Sequence, residues 1–259
     1  MSQGPEGSDK AQAWIRLRIQ DDRGGTRLTP ELIRRLTDAL ASAQRARLVS
    51  IEGVPGSFCE GLDIEAVLSE RGDRSPDFPP DAGLAGFAKL LRTLDRTHCA
   101  VVALVDGPAL GGGVGLAAVA DLVLATSRAT FALPETLMGL IPAMVFPFVA
   151  RRLGVAKARL LALGGKPLSV TEALHLGLVD EIVDDLEAGV RRYARRFSYT
   201  DPRAVAAMKA LVATHFTPQS GYELEAGKYF TDLLGSDETL ARIRRFVEGE
   251  SPWPEGSVL

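Results

Sequence analysis

Cysteine and histidine are scarce in this sequence, neither sign of charge prevails, and each shortage removes a class of function. Two cysteines, Cys59 and Cys99, occur in 259 residues, with no CxxC pair and no Cys/His ligand spacing. That excludes a disulfide scaffold and a zinc site, and it implies a reducing, cytoplasmic setting in which both thiols are buried and inert. Thirty basic residues face 33 acidic ones, a net charge of -3, which leaves no broad field for nucleic acid or an anionic membrane. The most apolar passage, Cys99 to Ala125, is broken by Asp106, Pro108, Asp121 and the run Gly111–Gly113, so it reads as buried strand, turn and helix and not as a membrane span. Residues 1–12 are small and polar without a basic and apolar succession, and they read as a flexible leader and not a signal peptide.

What remains is the composition of an ordinary globular α/β chain, 46% hydrophobic and 24% charged. Ala13–Ile19 alternates as a half-buried strand does. Thr29, Pro30 and Glu31 then open a helix, Thr29 suiting the N-cap and Pro30 the first helical position. Ala46–Gly53 reads as a buried strand, followed by a glycine-bearing loop and a helix beginning IEAVLSE. The same unit recurs at CAVVALVDGPALGGGVGLAAVA, with further strands near DLVLAT and ATFAL. Arg71–Gly83, rich in proline, aspartate and glycine, is expected to be a mobile loop near a site. From Val145 onward the pattern is helical. The chain therefore divides into the leader, a β/α core over 13–200 and a helical C-terminal segment over 201–259, packed on the core or on a neighbouring subunit.

Three short stretches carry chemistry. Gly111–Gly113 stands between a strand and a helix, where missing side chains let a ligand reach unpaired helix amides, although such glycines also serve simply to turn the chain. No Lys-Ser/Thr follows, and no GxGxxG pattern is present, so nucleotide binding of those kinds is disfavoured. Phe58–Asp63 (FCEGLD) is a second glycine turn at a strand-to-helix junction and can present the Leu62 amide to the same oxygen. Two such turns make an oxyanion-hole arrangement. Glu135, after Pro134 and before the apolar run LMGLIPAMVFPF, is either a capping or solvated carboxylate or a partly desolvated, proton-competent one, and its surroundings favour the second.

SFCEGLD, then DGPALGGGVGLAAVADLVLAT, FALPETLMGLIPA and LSVTEALHLGLVDEIV, in this order, resemble the crotonase (enoyl-CoA hydratase/isomerase) superfamily. The resemblance runs from about Ala13 to Val183 and includes the later PRAVAAMKAL. It implies an α/β fold built as a spiral of ββα units with a helical C-terminal region, a homotrimer or hexamer, and enolate chemistry on a thioester carried by coenzyme A or phosphopantetheine, without metal or other cofactor. By position, Leu62 and Gly112 donate the two amides, Gly61, Gly111, Gly113 and Gly115 lie along the substrate, and Glu135 is the catalytic carboxylate. The hydratases of the family carry a second catalytic glutamate two residues past the glycine run; here that position is Gly115.

One glutamate suits a reaction that a single base can manage. The strings around GGGVGL and FALPETLMGLIPAMVFPFVARRLG resemble the dehydratases of polyketide β-branching, which remove water from a 3-hydroxy-3-methylglutaryl group on an acyl carrier protein to give the 3-methylglutaconyl thioester. An enoyl-CoA double-bond isomerase is the alternative, and a non-catalytic thioester-binding scaffold is another. Asp63 is read as fixing its loop, with a second possible role beside the leaving group; Glu65 is read as a first-turn helix residue. His98 and His175 read as structural and His215 as unassigned. The pairs Arg151–Arg152, Arg191–Arg192, Arg195–Arg196 and Arg244–Arg245 read as solvated helix faces, one of which could meet an acidic carrier or a phosphate.

Overall fold

The computed structural model describes residues 14–43, 46–64, 82–216 and 221–253. Most of the loop expected over Arg71–Gly83, together with Glu65, lies outside them; Gly83 itself belongs to a helix. Along the chain the order is strand, strand, helix, repeated: β1 (Trp14–Arg18), β2 (Arg27–Leu28), α1 (Pro30–Ala41); β3 (Leu48–Glu52), β4 (Gly61–Leu62), α2 (Ala82–Arg96); β5 (Ala100–Val105), β6 (Pro108–Leu110), α3 (Gly112–Val119). β7 (Leu122–Ala125) and β8 (Thr130–Ala132) lead into a 3-10 turn, Glu135–Met138, then α4 (Phe146–Leu153), α5 (Val155–Gly164), β9 (Leu168–Ser169), α6 (Val170–Leu176) and β10 (Glu181–Ile182). The chain closes with α7 (Leu186–Phe197), α8 (Pro202–Phe216), α9 (Tyr222–Leu234) and α10 (Asp237–Val247).

The first strand of each unit enters one parallel sheet, ordered β1-β3-β5-β7-β10, with Leu48 opposite both Trp14 and Ala100. Parallel strands covered on both faces must be apolar throughout, and β5 and β7 are buried at every position. Side chains alternate across such a strand, so Val101, Ala103 and Val105 enter the main core while Val102 and Leu104 join a smaller cluster with Val190 of α7. The buried Ser50 is satisfied by the Trp14 indole N–H at 2.9 Å. The second strands form separate short ladders, β2-β4 and β6-β8-β9.

Local signals fix the ends of the helices. Thr29 Oγ1 accepts the Leu32 amide at 3.1 Å with Pro30 at the first position of α1, and Ser169 and Glu172 make a reciprocal capping box on α6. The late helices α9 and α10 place Ala226, Phe230, Leu234 and Ile243 in the main core. Arg151 pairs with Asp95 at 2.6 Å, Arg152 with Asp180, Arg191 with Glu187 at 2.7 Å, Arg192 with Glu181 at 2.6 Å and Arg245 with Glu250 at 3.3 Å. These basic runs thus include many arginines that pair with acids of their own chain.

Candidate active site

Two glycine turns meet because the backbone between them is stitched together. The Phe58 and Cys59 amides both donate to Pro108 O at 3.1 Å, and the Leu110 amide returns to Cys59 O at 2.8 Å. Gly61 adopts φ +87°, and a Cβ there would lie 3.1 Å from Leu110 O and 3.8 Å from Gly112 N. Glycine is required on both counts, conformation and close approach. The turns of Gly61–Leu62 and Gly111–Gly112 therefore abut.

Gly111, at φ +50°, is the N-cap of α3. Its own amide donates to Ala132 O at 2.9 Å, and the Gly115 amide closes on Gly111 O at 3.2 Å. The amide of Gly112 precedes that first helical bond, at the end of the helix where N–H groups lack intrahelical acceptors and carry partial positive charge. In the first turn, the flanking amides of Glu60 and Asp63 donate to Thr26 O at 3.1 Å and Leu28 O at 3.3 Å.

β8, paired with β6 through Leu110 and Ala132, delivers Glu135 to the same place. A Cβ on Gly111 would lie 2.8 Å from Glu135 Oε1, so the carboxylate rests against the bare Cα of the turn. Glu135 is half-buried as a residue, yet Oε2 is shut off from solvent and has no hydrogen-bond partner. Burial pushes its carboxyl up to about 7, against a smaller opposing effect of its own backbone amide. At neutral pH it is poised to take or give a proton.

All these groups open on one cavity, lined by Gly61, Leu62, Gly111, Gly112 and Glu135 at one end and by apolar side chains from Leu140 to Val145, Phe230 and Phe246 at the other. Glu60 stands at its edge, exposed and paired with Arg27 at 3.4 Å. Among the described residues Glu60 and Glu135 are the ionisable ones of the lining. The apolar lining suits an acyl group, and two amides with one raised carboxyl beside them suit formation of an enolate from a thioester. Among the described residues no cluster of His, Cys, Asp or Glu could hold a metal ion.

Residues 11–255 match the model of the enoyl-CoA hydratase/isomerase family. The chain belongs to that family. Among its curated relatives are the bacillaene synthase dehydratase PksH of Bacillus subtilis, 29% identical over 80% of each chain, and the carnitinyl-CoA dehydratase of Proteus mirabilis, 31% identical over 75% of this chain and 76% of the relative. The crystal structure of Bacillus subtilis PksH superposes with a TM-score of 0.77 at 27% identity, covering 88% of this chain and 90% of that one. AtuE of Pseudomonas aeruginosa gives 0.72 at 31% identity over 93% and 95%. The fold is thus that of the crotonases, as the order of motifs implied.

Within this family member the expected site residues separate into two groups. Leu62, Gly61, Gly111, Gly112 and Glu135 line the cavity; Asp63, Gly113 and Gly115 do not. Gly113 packs against Cys59, to whose Cβ an added Cβ would lie 2.7 Å, and Gly115 packs under Val145 at 2.2 Å from Cγ1. Both glycines are sites of close packing of the helix. The carboxylate position vacated at Gly115 is filled by apolar volume. His98, His175 and His215 also lie outside the lining; His175 Nδ1 stands 3.0 Å from Thr171 O of its own helix. Sequence reasoning missed Val145, Phe230 and Phe246, and the apolar spacing of α9 and α10 was the one available trace of the last two.

Proposed function

We propose that the protein dehydrates a β-branched 3-hydroxyacyl thioester with Glu135 as its single acid–base group, and that its substrate is the 3-hydroxy-3-methylglutaryl group on an acyl carrier protein. The thioester oxygen sits against the Leu62 and Gly112 amides. Glu135 as carboxylate takes the α-proton, and the electron pair moves into the enolate held by the two amides. The enolate then expels the β-hydroxyl, which takes the proton from Glu135 and leaves as water; the α,β-double bond forms and the carboxylate is regenerated. A tertiary hydroxyl departs readily by this route because the branched β-carbon tolerates developing positive charge.

The observation that carries this reading is the desolvated Glu135 beside the paired glycine turns, in a cavity whose other wall offers no second acid among the described residues. The dehydratases among the relatives support the reaction class. Among the described residues the lining contributes no cation for a distal carboxylate, so the apolar wall suits the β-methyl group, and the carboxylate of a glutaryl substrate faces the cavity mouth. Soluble oligomerisation is supported by apolar surface on α5 and α8, where Leu160 is 73% and Phe216 68% exposed; we assign these faces to a homotrimer, alone or paired as a hexamer. No described helix is long and apolar enough to cross a membrane, and the two free cysteines support a reducing cytoplasm.

The test is incubation of the purified protein with 3-hydroxy-3-methylglutaryl-carrier protein, with the corresponding 3-hydroxy-3-methylbutyryl thioester, and with a 3-enoyl-CoA. Loss of one water from the first, detected by mass, is the expected result. Turnover of the 3-enoyl-CoA without mass change would replace the dehydratase by the isomerase reading, and saturable binding without turnover of any of the three would replace it by a thioester-binding scaffold.

A further inference from the structure

Gly115 and Val145 form a pair matched in size. A Cβ on Gly115 would stand 2.2 Å from Val145 Cγ1, 2.7 Å from Val145 Cβ and 3.6 Å from Val145 Cα. Only the last is an ordinary contact, so position 115 has room for a Cβ when position 145 carries no side chain. Val145 is 3% exposed and cannot readily step aside. Its carbonyl accepts the Phe148 and Val149 amides at 3.1 Å, the Phe146 amide is held by Pro142 O at 2.9 Å, and the Tyr222 hydroxyl donates to Ala143 O at 2.9 Å. The same valine also lines the cavity that holds Glu135.

We propose that Val145 is a specificity-determining residue: by filling the space over Gly115 it keeps a second carboxylate from the β-carbon side of the cavity. The site then serves thioesters whose β-oxygen departs with the proton of Glu135 alone. Unbranched 2-enoyl thioesters, whose hydration calls for a second carboxylate to direct water at the β-carbon, are turned away. The inference rests on the reading of Glu135 as the acid–base group, and it assigns the selectivity of the site to a residue that touches the substrate without exchanging a proton.

The experiment is a swap cycle of Gly115→Glu, Val145→Gly and the double variant, read by melting temperature and by hydration of crotonyl-CoA. Gly115→Glu alone is expected to melt roughly 5–10 °C below the parent, because overpacking of this kind costs a few kcal/mol, and Val145→Gly in the same chain is expected to recover most of that loss. The double variant is expected to hydrate crotonyl-CoA about 100-fold faster than Val145→Gly alone, the usual worth of one general acid–base group. If Gly115→Glu proves too unstable to purify, Gly115→Ala with and without Val145→Gly gives the same stability cycle. A Gly115→Glu or Gly115→Ala protein that melts with the parent overturns the size-matched pair. A folded double variant no faster than Val145→Gly overturns the selectivity role. A gain in hydration that survives Glu135→Gln supports the role of Val145 while sinking the assignment of Glu135, so the two readings fail separately.

Discussion

The two ends of the cavity are built by opposite means. At the polar end, the groups proposed to act are backbone amides and one carboxylate, brought together by glycines that omit side chains: Gly61 lets Leu110 O and Gly112 N draw near, and Gly111 lets Glu135 Oε1 lie against its Cα. At the apolar end, the wall from Leu140 to Val145 with Phe230 and Phe246 is filled by side chains that, among the described residues, include no acid. Chemistry is made possible by absence at one end and restricted by filling at the other. A site of this kind is sensitive to added atoms at the first end and to removed atoms at the second.

That contrast can be broken most decisively at Glu135. Glu135→Gln keeps the shape and removes the base, so turnover is expected to fall by about 10²–10⁴, measured on whichever thioester the protein converts; a smaller loss would place the base elsewhere. Gly111→Ala adds one methyl in a left-handed backbone position and against the carboxylate, and a loss of about 10² in kcat with a destabilisation of roughly 1–3 kcal/mol is expected, read by kinetics and denaturant melts. If alanine is accepted at wild-type activity, the close packing of Glu135 on the turn is wrong.

The electrostatic side is open to pH. Burial raises the Glu135 carboxyl from 4.5 to about 7, so the native chain holds this proton more tightly than the unfolded chain does. The stability it contributes is fully present below pH 4.5 and is lost as pH rises through 7, a change of about 3 kcal/mol. Relative to the parent, Glu135→Gln is therefore expected to gain up to that amount between pH 4 and pH 8, followed by chemical denaturation at each pH; a parallel course for both proteins would show a solvated carboxylate. The smallest effect belongs to the apolar end: Tyr222→Phe removes the hydroxyl bond to Ala143 O, and about 1 kcal/mol of stability with a modest rise in KM is expected.

The polar end was legible in the sequence because each of its parts is a local signal. A glycine turn between strand and helix, a Thr-Pro helix start and a proline-preceded glutamate announce themselves within a few residues, and Thr29, Gly61, Gly111, Gly112 and Glu135 stand where those signals put them. The apolar end was not legible for the opposite reason. Nothing near Gly115 names Val145 as its neighbour, since their meeting depends on how α3 and α4 cross. Phe230 and Phe246 read as amphipathic helix positions whatever they pack against. The same limit explains Gly113, Gly115 and Asp63: proximity in sequence to the turns suggested contact with the substrate, whereas the helix geometry turns the two glycines to Cys59 and Val145. The mostly paired arginine runs show it again, since partners such as Asp95 and Asp180 are distant in sequence from Arg151 and Arg152.

The position of Phe230 and Phe246 late in the chain bears on how the protein comes to life during synthesis. The paired turns and Glu135 are complete once residue 135 has emerged, but the chamber around them stays open until α9 and α10 have been made and docked. A growing or nicked chain lacking the last two helices would thus leave the chamber open on the side that Phe230 and Phe246 line.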